Sequence, residues 1–410
     1  MAVGSMSFIA WLDTSPDDER RVRELVREFS DPRTVDELGL RQVRDAIADS
    51  LFPGSSTLHT RARYFLFVPW IFQHAAESAA GDELLTKAHR AEKRLITSLS
   101  EAGVTVGLIG GRAGEQVSTL PSSVYWSALR RYDILTVDVS TAQLRKSRKS
   151  RANKDGHEEY AAEDTPRPDW DIPVASPPGF PFTVDDGFDL STEEAQWLQE
   201  RIVRSTRGSY LSYLLSQPEP VNTKKPLWQQ RAVGDAPEDV QISVRDAHLV
   251  SLLMNGAALL YNVLVAERYE SAGLKSLRNP VTSSLKRLSR WAEDAHSTWD
   301  DVATWNPSDV WDGLPTASAD RIDRATRLFV NEWVRVIQTD GPGLASSQNA
   351  RALVADRERF TKQRNSRLED SRSLATWNGR SGITPFDFRW RRVSKVISDI
   401  QDGLHRARAR

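Results

Sequence analysis

From Leu249 to Ala266 the chain runs for 18 residues without an Asp, Glu, Lys or Arg. That length touches the lower limit of a bilayer span, which takes roughly 20 residues. Ser251, Asn255 and Asn262 interrupt the run, and Asp246 and Glu267 flank it. No cluster of Lys and Arg anchors it, as a span would require. The run is therefore expected to be the buried central helix of a helical domain, with no membrane partner.

Elsewhere apolar residues recur at three- and four-residue steps, the period of a helix face. Ser15-Pro16-Asp17-Asp18-Glu19 supplies a cap, a first-turn proline and acids ahead of Val22, Leu25, Val26 and Phe29. Leu40, Val43, Ile47 and Leu51 align in a second helix, which Pro53-Gly54 ends. Tyr64 to Phe72 is apolar on every side and must be core, with Pro69 expected to bend or end its helix. A long helix is expected from Asp82 to Glu101, closed by Gly103. Pro121 opens another, carrying Val124, Tyr125, Trp126 and Leu129 and then Arg130 and Arg131.

In the second half Ser191 and Glu194 have the spacing of a capping box. Helical stripes follow through Leu285, Leu288, Trp291 and Ala295, and through Ile322, Phe329, Trp333 and Ile337. A charged helix is expected from Ser347 to about Asp370. The last begins with Thr384-Pro385-Phe386-Asp387 as cap, first-turn proline and acid, and continues through Trp390, Val393, Ile397, Ile400 and Leu404.

Strand signals are confined to Thr105–Ile109 and Ile134–Val139, which would suit the two strands of a wing. Between 145 and 190 a basic block (Arg145, Lys146, Arg148, Lys149, Arg151, Lys154) precedes an acidic one (Glu158, Glu159, Glu163, Asp164, Asp169, Asp171), with six prolines from Pro166 to Pro181. No period survives there, which reads as a mobile linker or surface loop whose opposite charges screen one another. The fold class expected is mainly α. Residues 6–144 form an N-terminal helical domain with a winged-helix candidate, 145–190 a charged, Pro-rich linker or loop, and 191–410 a C-terminal helical bundle.

The net charge is −1, which argues against a protein that coats nucleic acid by bulk charge but leaves room for a local basic face. Cysteine is absent, so disulfides and thiolate chemistry are excluded. With no secretory signal visible, a cytoplasmic location is expected.

The motifs of a catalyst are missing. There is no Gly-x-Ser-x-Gly elbow, no His-Glu-x-x-His and no histidine two residues before a lysine. The glycine loop Gly107-Leu-Ile-Gly110-Gly111-Arg-Ala-Gly114 lacks the ending of a phosphate loop and the spacing of a dinucleotide fingerprint, so it reads as a tight turn or wing. Glu293 and His296 stand three apart, as in bundle metal sites, beside Asp294, Asp300 and Asp301. No second Glu-x-x-His completes such a site, so a solvated helix end is the expectation. Asp185, Asp186 and Asp189 read as a solvated loop, and His248 as a core or helix-terminal histidine. No catalytic residue, metal or cofactor is assigned.

Arginines carry the functional expectation. Arg61 and Arg63 precede the apolar run, Arg130 and Arg131 close a helix, and Arg380 and Arg389 lie at and beyond the loop Ala375-Thr-Trp-Asn-Gly-Arg-Ser-Gly382. These six are the candidate nucleic-acid contacts. Trp377, unlike the tryptophans set in apolar stripes, marks that loop as a candidate functional surface.

Three stretches carry a resemblance: Thr60-Arg-Ala-Arg-Tyr-Phe-Leu-Phe-Val-Pro-Trp70, Leu120-Pro-Ser-Ser-Val-Tyr-Trp126, and Trp377-Asn-Gly-Arg-Ser-Gly382 with Phe388-Arg-Trp390. Together they resemble an uncharacterised bacterial family of about this length, catalogued as a domain of unknown function. The resemblance covers nearly the whole chain from Met6. It implies a setting beside helicases and phospholipase-D-like nucleases in phage-defence clusters and transfers no catalytic residue. The expectation is a non-catalytic binding or scaffold protein of a DNA-transaction or defence complex, with nucleic acid and a helicase or nuclease as partners. The alternatives are a metal-dependent nuclease with an unrecognised site and a pure protein-interaction module.

Overall fold

The computed structural model of this chain describes residues 35–111, 117, 119–137 and 169–406. The helix expected around Ser15 to Phe29, the basic block Arg145 to Lys154, and Arg408 and Arg410 lie outside the described residues.

The protein is mainly α. In chain order the elements are α1 (Arg41–Leu51), α2 (Tyr64–Ala76), α3 (Gly81–Glu101), α4 (Pro121–Arg131), β1 (Leu135–Val137), β2 (Asp169–Trp170), α5 (Thr192–Ser205), α6 (Tyr210–Ser216) and α7 (Glu238–Ser271). Then come α8 (Pro280–Ser297), α9 (Trp299–Thr304), α10 (Pro307–Gly313), α11 (Thr316–Ala319), α12 (Arg324–Asp340), α13 (Gln348–Lys362), α14 (Ser371–Ala375) and α15 (Trp390–Arg406). They group into two compact units, each drawn from separated stretches. The first takes described residues of 58–205 and 399–406, the second 35–57 and 206–398.

In the first unit α2 packs against α3 and α4. The helix does not end at Pro69 but continues to Ala76, with every residue from Tyr64 to Phe72 buried. A proline forfeits one helical hydrogen bond, and burial on all sides outweighs that loss. The box at α5 forms: Ser191 Oγ accepts the Glu194 N–H at 3.2 Å, and Glu194 Oε2 accepts the Ser191 N–H at 2.8 Å. Residues 169–190 make turns and the short β2, and they plant Val174, Phe180, Val184 and Phe188 in the core. Trp70 donates its indole N–H to Val174 O at 2.8 Å.

The expected pair of wing strands does not form. β1 pairs antiparallel with β2, while 105–109 is turn. Gly103, Gly107 and Gly110 have positive φ, which interrupts extended backbone, and Tyr64 Oη accepts the Ile109 N–H at 3.0 Å.

The second unit is built on α7. By length and composition α7 could cross a bilayer, and 83% of its most apolar window is buried inside the protein. α8 lies along it, and Gly256 makes room: a Cβ there would sit 2.4 Å from the Trp291 ring. Trp291 and Trp333 donate to the α7 carbonyls of Leu252 and Leu253 at 2.7 and 2.8 Å. α12 and α13 begin at Asp323 and Ser347, whose side chains accept the N–H of Thr326 and Ala350.

Two expected boundaries move. α13 stops at Lys362, because Gln363 turns left-handed with φ 47°. The last helix starts at Trp390, not Thr384, because Phe388 and Arg389 have φ 48° and 68°, incompatible with a right-handed helix.

Candidate functional site

The Thr60–Tyr64 segment is a knot within the first unit. Thr60 Oγ1 donates to Gly107 O at 2.6 Å. Tyr125 Oη accepts the N–H of Thr60 and of Arg61 and donates to Arg61 O. Asp399 Oδ2 accepts from Arg61 Nε at 2.9 Å and from the Ala62 N–H at 3.0 Å. Arg63 is 3% exposed, bonded to Gly187 O at 3.0 Å and Glu194 Oε1 at 2.9 Å. Each polar group of the motif thus joins two distant stretches of chain.

This corrects the reading of Arg61 and Arg63 as surface contacts. Both are ion-paired and drawn inward, because the apolar run that follows them carries them into the core. At the end of α4, Arg130 is half-buried, and Arg131 is exposed and donates to Ser205 O at 2.6 Å.

Another buried polar group lies between α3 and α4. Glu92, with no solvent exposure, accepts from the N–H and hydroxyl of Ser122 at 2.6 and 2.9 Å. Burial raises its pKa to about 7, against the pull of those two bonds.

In the second unit the loop 375–389 lies on α7. Asn262 Nδ2 donates to Ser381 O at 2.6 Å, Asn255 Nδ2 to Ile383 O at 2.9 Å, and Ser251 Oγ to Phe386 O at 2.8 Å. The three polar residues that interrupt the apolar helix are therefore the loop's attachment points. Trp377 anchors the loop rather than presenting it: it is 3% exposed, with its ring 5.8 Å from that of Tyr269.

Arg389 is likewise corrected to a structural cation. It is 5% exposed, bonded to Asp49 at 2.5 Å and to Ser55 O at 3.0 Å. Asp49 also receives Arg321 at 2.7 Å. These bonds hold the left-handed turn that precedes α15.

Arg380 stays at the surface. Beside it Arg287 donates to Gly379 O at 3.3 Å. Burial and the neighbouring Arg380 charge both lower the Arg287 pKa, and neither residue has an ion-pair partner among the described residues. A Cβ on Gly379 would lie 3.5 Å from Leu277, which brings the 275–278 turn, with exposed Lys275 and Arg278, against the same loop. Arg287 escaped the sequence reading because its α8 neighbours present only an ordinary charged face.

A cavity of about 310 Å³ opens on the other side of the loop, lined by α7, the 35–44 segment and residues 381–392. Met254, Ala258, Pro385 and Phe386 supply apolar wall, and Arg44, Arg391 and Arg392 supply cations. Glu37 lies in the lining, paired with Lys362 and Arg367. Burial alone would raise its pKa, but those two cations outweigh it and hold the carboxyl below its usual range.

Among the described residues no three His, Asp or Glu side chains converge as metal ligands. His248 stacks on Trp228 at 4.7 Å, and burial lowers its pKa.

Fold and site define a helical protein whose buried charges mostly pair with one another, with a basic edge and a cavity left over. The chain belongs to the family of unknown function DUF6361, whose model matches residues 6–403. No curated protein and no solved structure matches it.

Proposed function

We propose that this chain is a non-catalytic binding or scaffold protein that contacts nucleic acid within a bacterial DNA-transaction or phage-defence complex, alongside a helicase or nuclease. The observation that carries the reading is the Arg287–Arg380 edge. Partial burial and the neighbouring Arg380 charge both disfavour the charge of Arg287, whose guanidinium donates to Gly379 O next to Arg380, and neither arginine has an ion-pair partner among the described residues. A phosphate placed between them would remove that repulsion, and guanidinium forks suit phosphate geometry. Lys275 and Arg278 extend the edge.

The test is binding of the full chain to labelled single- and double-stranded DNA across a salt series. Affinity should fall steeply with salt, because neutralised phosphates release counterions. The double variant Arg287→Ala/Arg380→Ala should weaken binding and reduce the log–log salt slope by about 2, near one per lost phosphate contact. Salt-insensitive binding, or an unchanged slope in the double variant, contradicts the proposal.

A further inference from the structure

We infer that the basic edge grips the backbone of a nucleic-acid duplex, not an unpaired strand, and does so without regard to sequence. This rests on the phosphate-contact reading above and names the form of the partner. The edge is wider than its two central guanidinium groups. Lys286 is exposed on α8 beside Arg287, on the side away from the buried Ser284, Leu288, Trp291 and Ala295. Thr282, Ser283 and Ser289 are exposed around it on the same helix, and short hydroxyls of this kind donate to phosphate oxygens. The contact of Leu277 with Gly379 brings Lys275 and Arg278 to the same place, as the bond from Arg287 to Gly379 O brings Arg380.

These cations are available. Lys275, Arg278, Lys286, Arg287 and Arg380 have no ion pair among the described residues. The acids near them stand at the borders of the face. Glu270 Oε1 accepts the Val281 N–H at 3.4 Å, at the amino end of α8. Glu293 and Asp294 lie toward its carboxyl end, beyond Arg290, and close the basic stretch there. The five cations therefore outnumber the acids around them, and the face between those borders is positive.

What the face lacks decides between duplex and single strand. Proteins that hold unpaired strands stack bases on aromatic rings beside a basic groove. On α8, in the 275–278 turn and in the 377–380 stretch the aromatic rings are Trp291 and Trp377, each 3% exposed and turned into the core. The exposed bulky apolar side chain there is Leu285. Without a stacking platform the attraction is to phosphates alone. A duplex presents a charge about every 1.7 Å of its axis, against about 3.4 Å for one of its strands. Contacts to phosphate fix a protein on the helix but carry no sequence information.

The test is fluorescence anisotropy of the full chain with a labelled blunt DNA duplex, with each of its strands, and with a second duplex of unrelated sequence, across a salt series. Five phosphate contacts, at slopes of about 0.9 each on a duplex and about 0.7 on a single strand, make the duplex about tenfold tighter at about 0.1 M salt. The two duplexes should bind equally. Lys286→Ala, on an exposed side chain, should lower the duplex slope by about 0.9, with its urea unfolding curve that of the parent. Strands that bind as tightly as the duplex overturn the assignment, as does a preference of about tenfold for one duplex, the size of a base-pair readout. An unchanged duplex slope in folded Lys286→Ala overturns it too. In each of these cases a reduced slope in Arg287→Ala/Arg380→Ala leaves the phosphate-contact reading standing, so the two fail separately. Binding to none of the probes overturns both.

Discussion

Replacing Glu92 by Gln should change how stability depends on pH far more than it changes stability itself. The carboxyl is wholly buried, and its pKa rises from an ordinary 4.5 to about 7. In that window the native state keeps a proton that the unfolded chain has released. The group's contribution is therefore complete below about pH 4.5 and is lost as pH rises through about 7. Each pH unit between those limits costs about 1.4 kcal/mol, so the full loss is about 3 kcal/mol, of which about 2.5 falls between pH 5 and pH 8. A glutamine keeps the oxygen that accepts the Ser122 N–H but turns an amide toward the hydroxyl, a pH-independent cost of about 1 kcal/mol. Urea unfolding of parent and variant, followed by tryptophan emission, gives the difference at each pH, and other titrating groups cancel in it. The variant should gain about 2.5 kcal/mol on the parent from pH 5 to pH 8. A difference that stays flat across that range refutes the reasoning: the two Ser122 bonds and the positive end of α4 would then suffice to keep Glu92 ionised throughout.

Three further outcomes follow from the packing. Arg63→Met strands the Glu194 carboxylate without its cation and should cost about 3–5 kcal/mol by urea unfolding, with Glu194→Gln in the same chain recovering much of it. Gly256→Ala, which in an ordinary helix adds about 0.5–1 kcal/mol, should instead destabilise by about 1–3 kcal/mol and shift indole emission, because Trp291 must leave its place. Asn262→Ala should cost about 1–3 kcal/mol and raise amide exchange at 381–386 while leaving the α12–α13 pair protected; uniform exchange across the unit counts against the attachment.

The helices were legible where local chemistry decides them. Ser191 and Glu194, Pro121, and the stripes of α1 and α8 form the elements their spacing predicts. The misreadings occur where distant residues override a local rule. Thr384-Pro385 carries the marks of a helix start, but Phe388 and Arg389 are bent left-handed by partners such as Asp49, far away in sequence. Thr105–Ile109 alternates like a strand, yet Tyr64 and Thr60 fasten it as a turn. The six arginines looked alike as letters. Whether each met a carboxylate depended on Asp399, Glu194 and Asp49, which no nearby pattern reveals. Ser251, Asn255 and Asn262 were visible as interruptions, and polar residues recurring on one face of an apolar helix were the signal that something docks there.

The bond from Asp399 to Arg61 spans 338 positions of sequence. Protein synthesis usually lets early segments mature while later ones are still being made. Here a nascent chain that has emerged as far as α5 holds α2 and its charged approach, but Asp399 is not yet translated and Arg61 lacks its counter-ion. The aromatic surface of Tyr64 to Phe72 already has its ring partners Tyr125, Trp126, Phe180 and Phe188 within that emerged stretch, so what waits for the final helix is the counter-charge of Arg61.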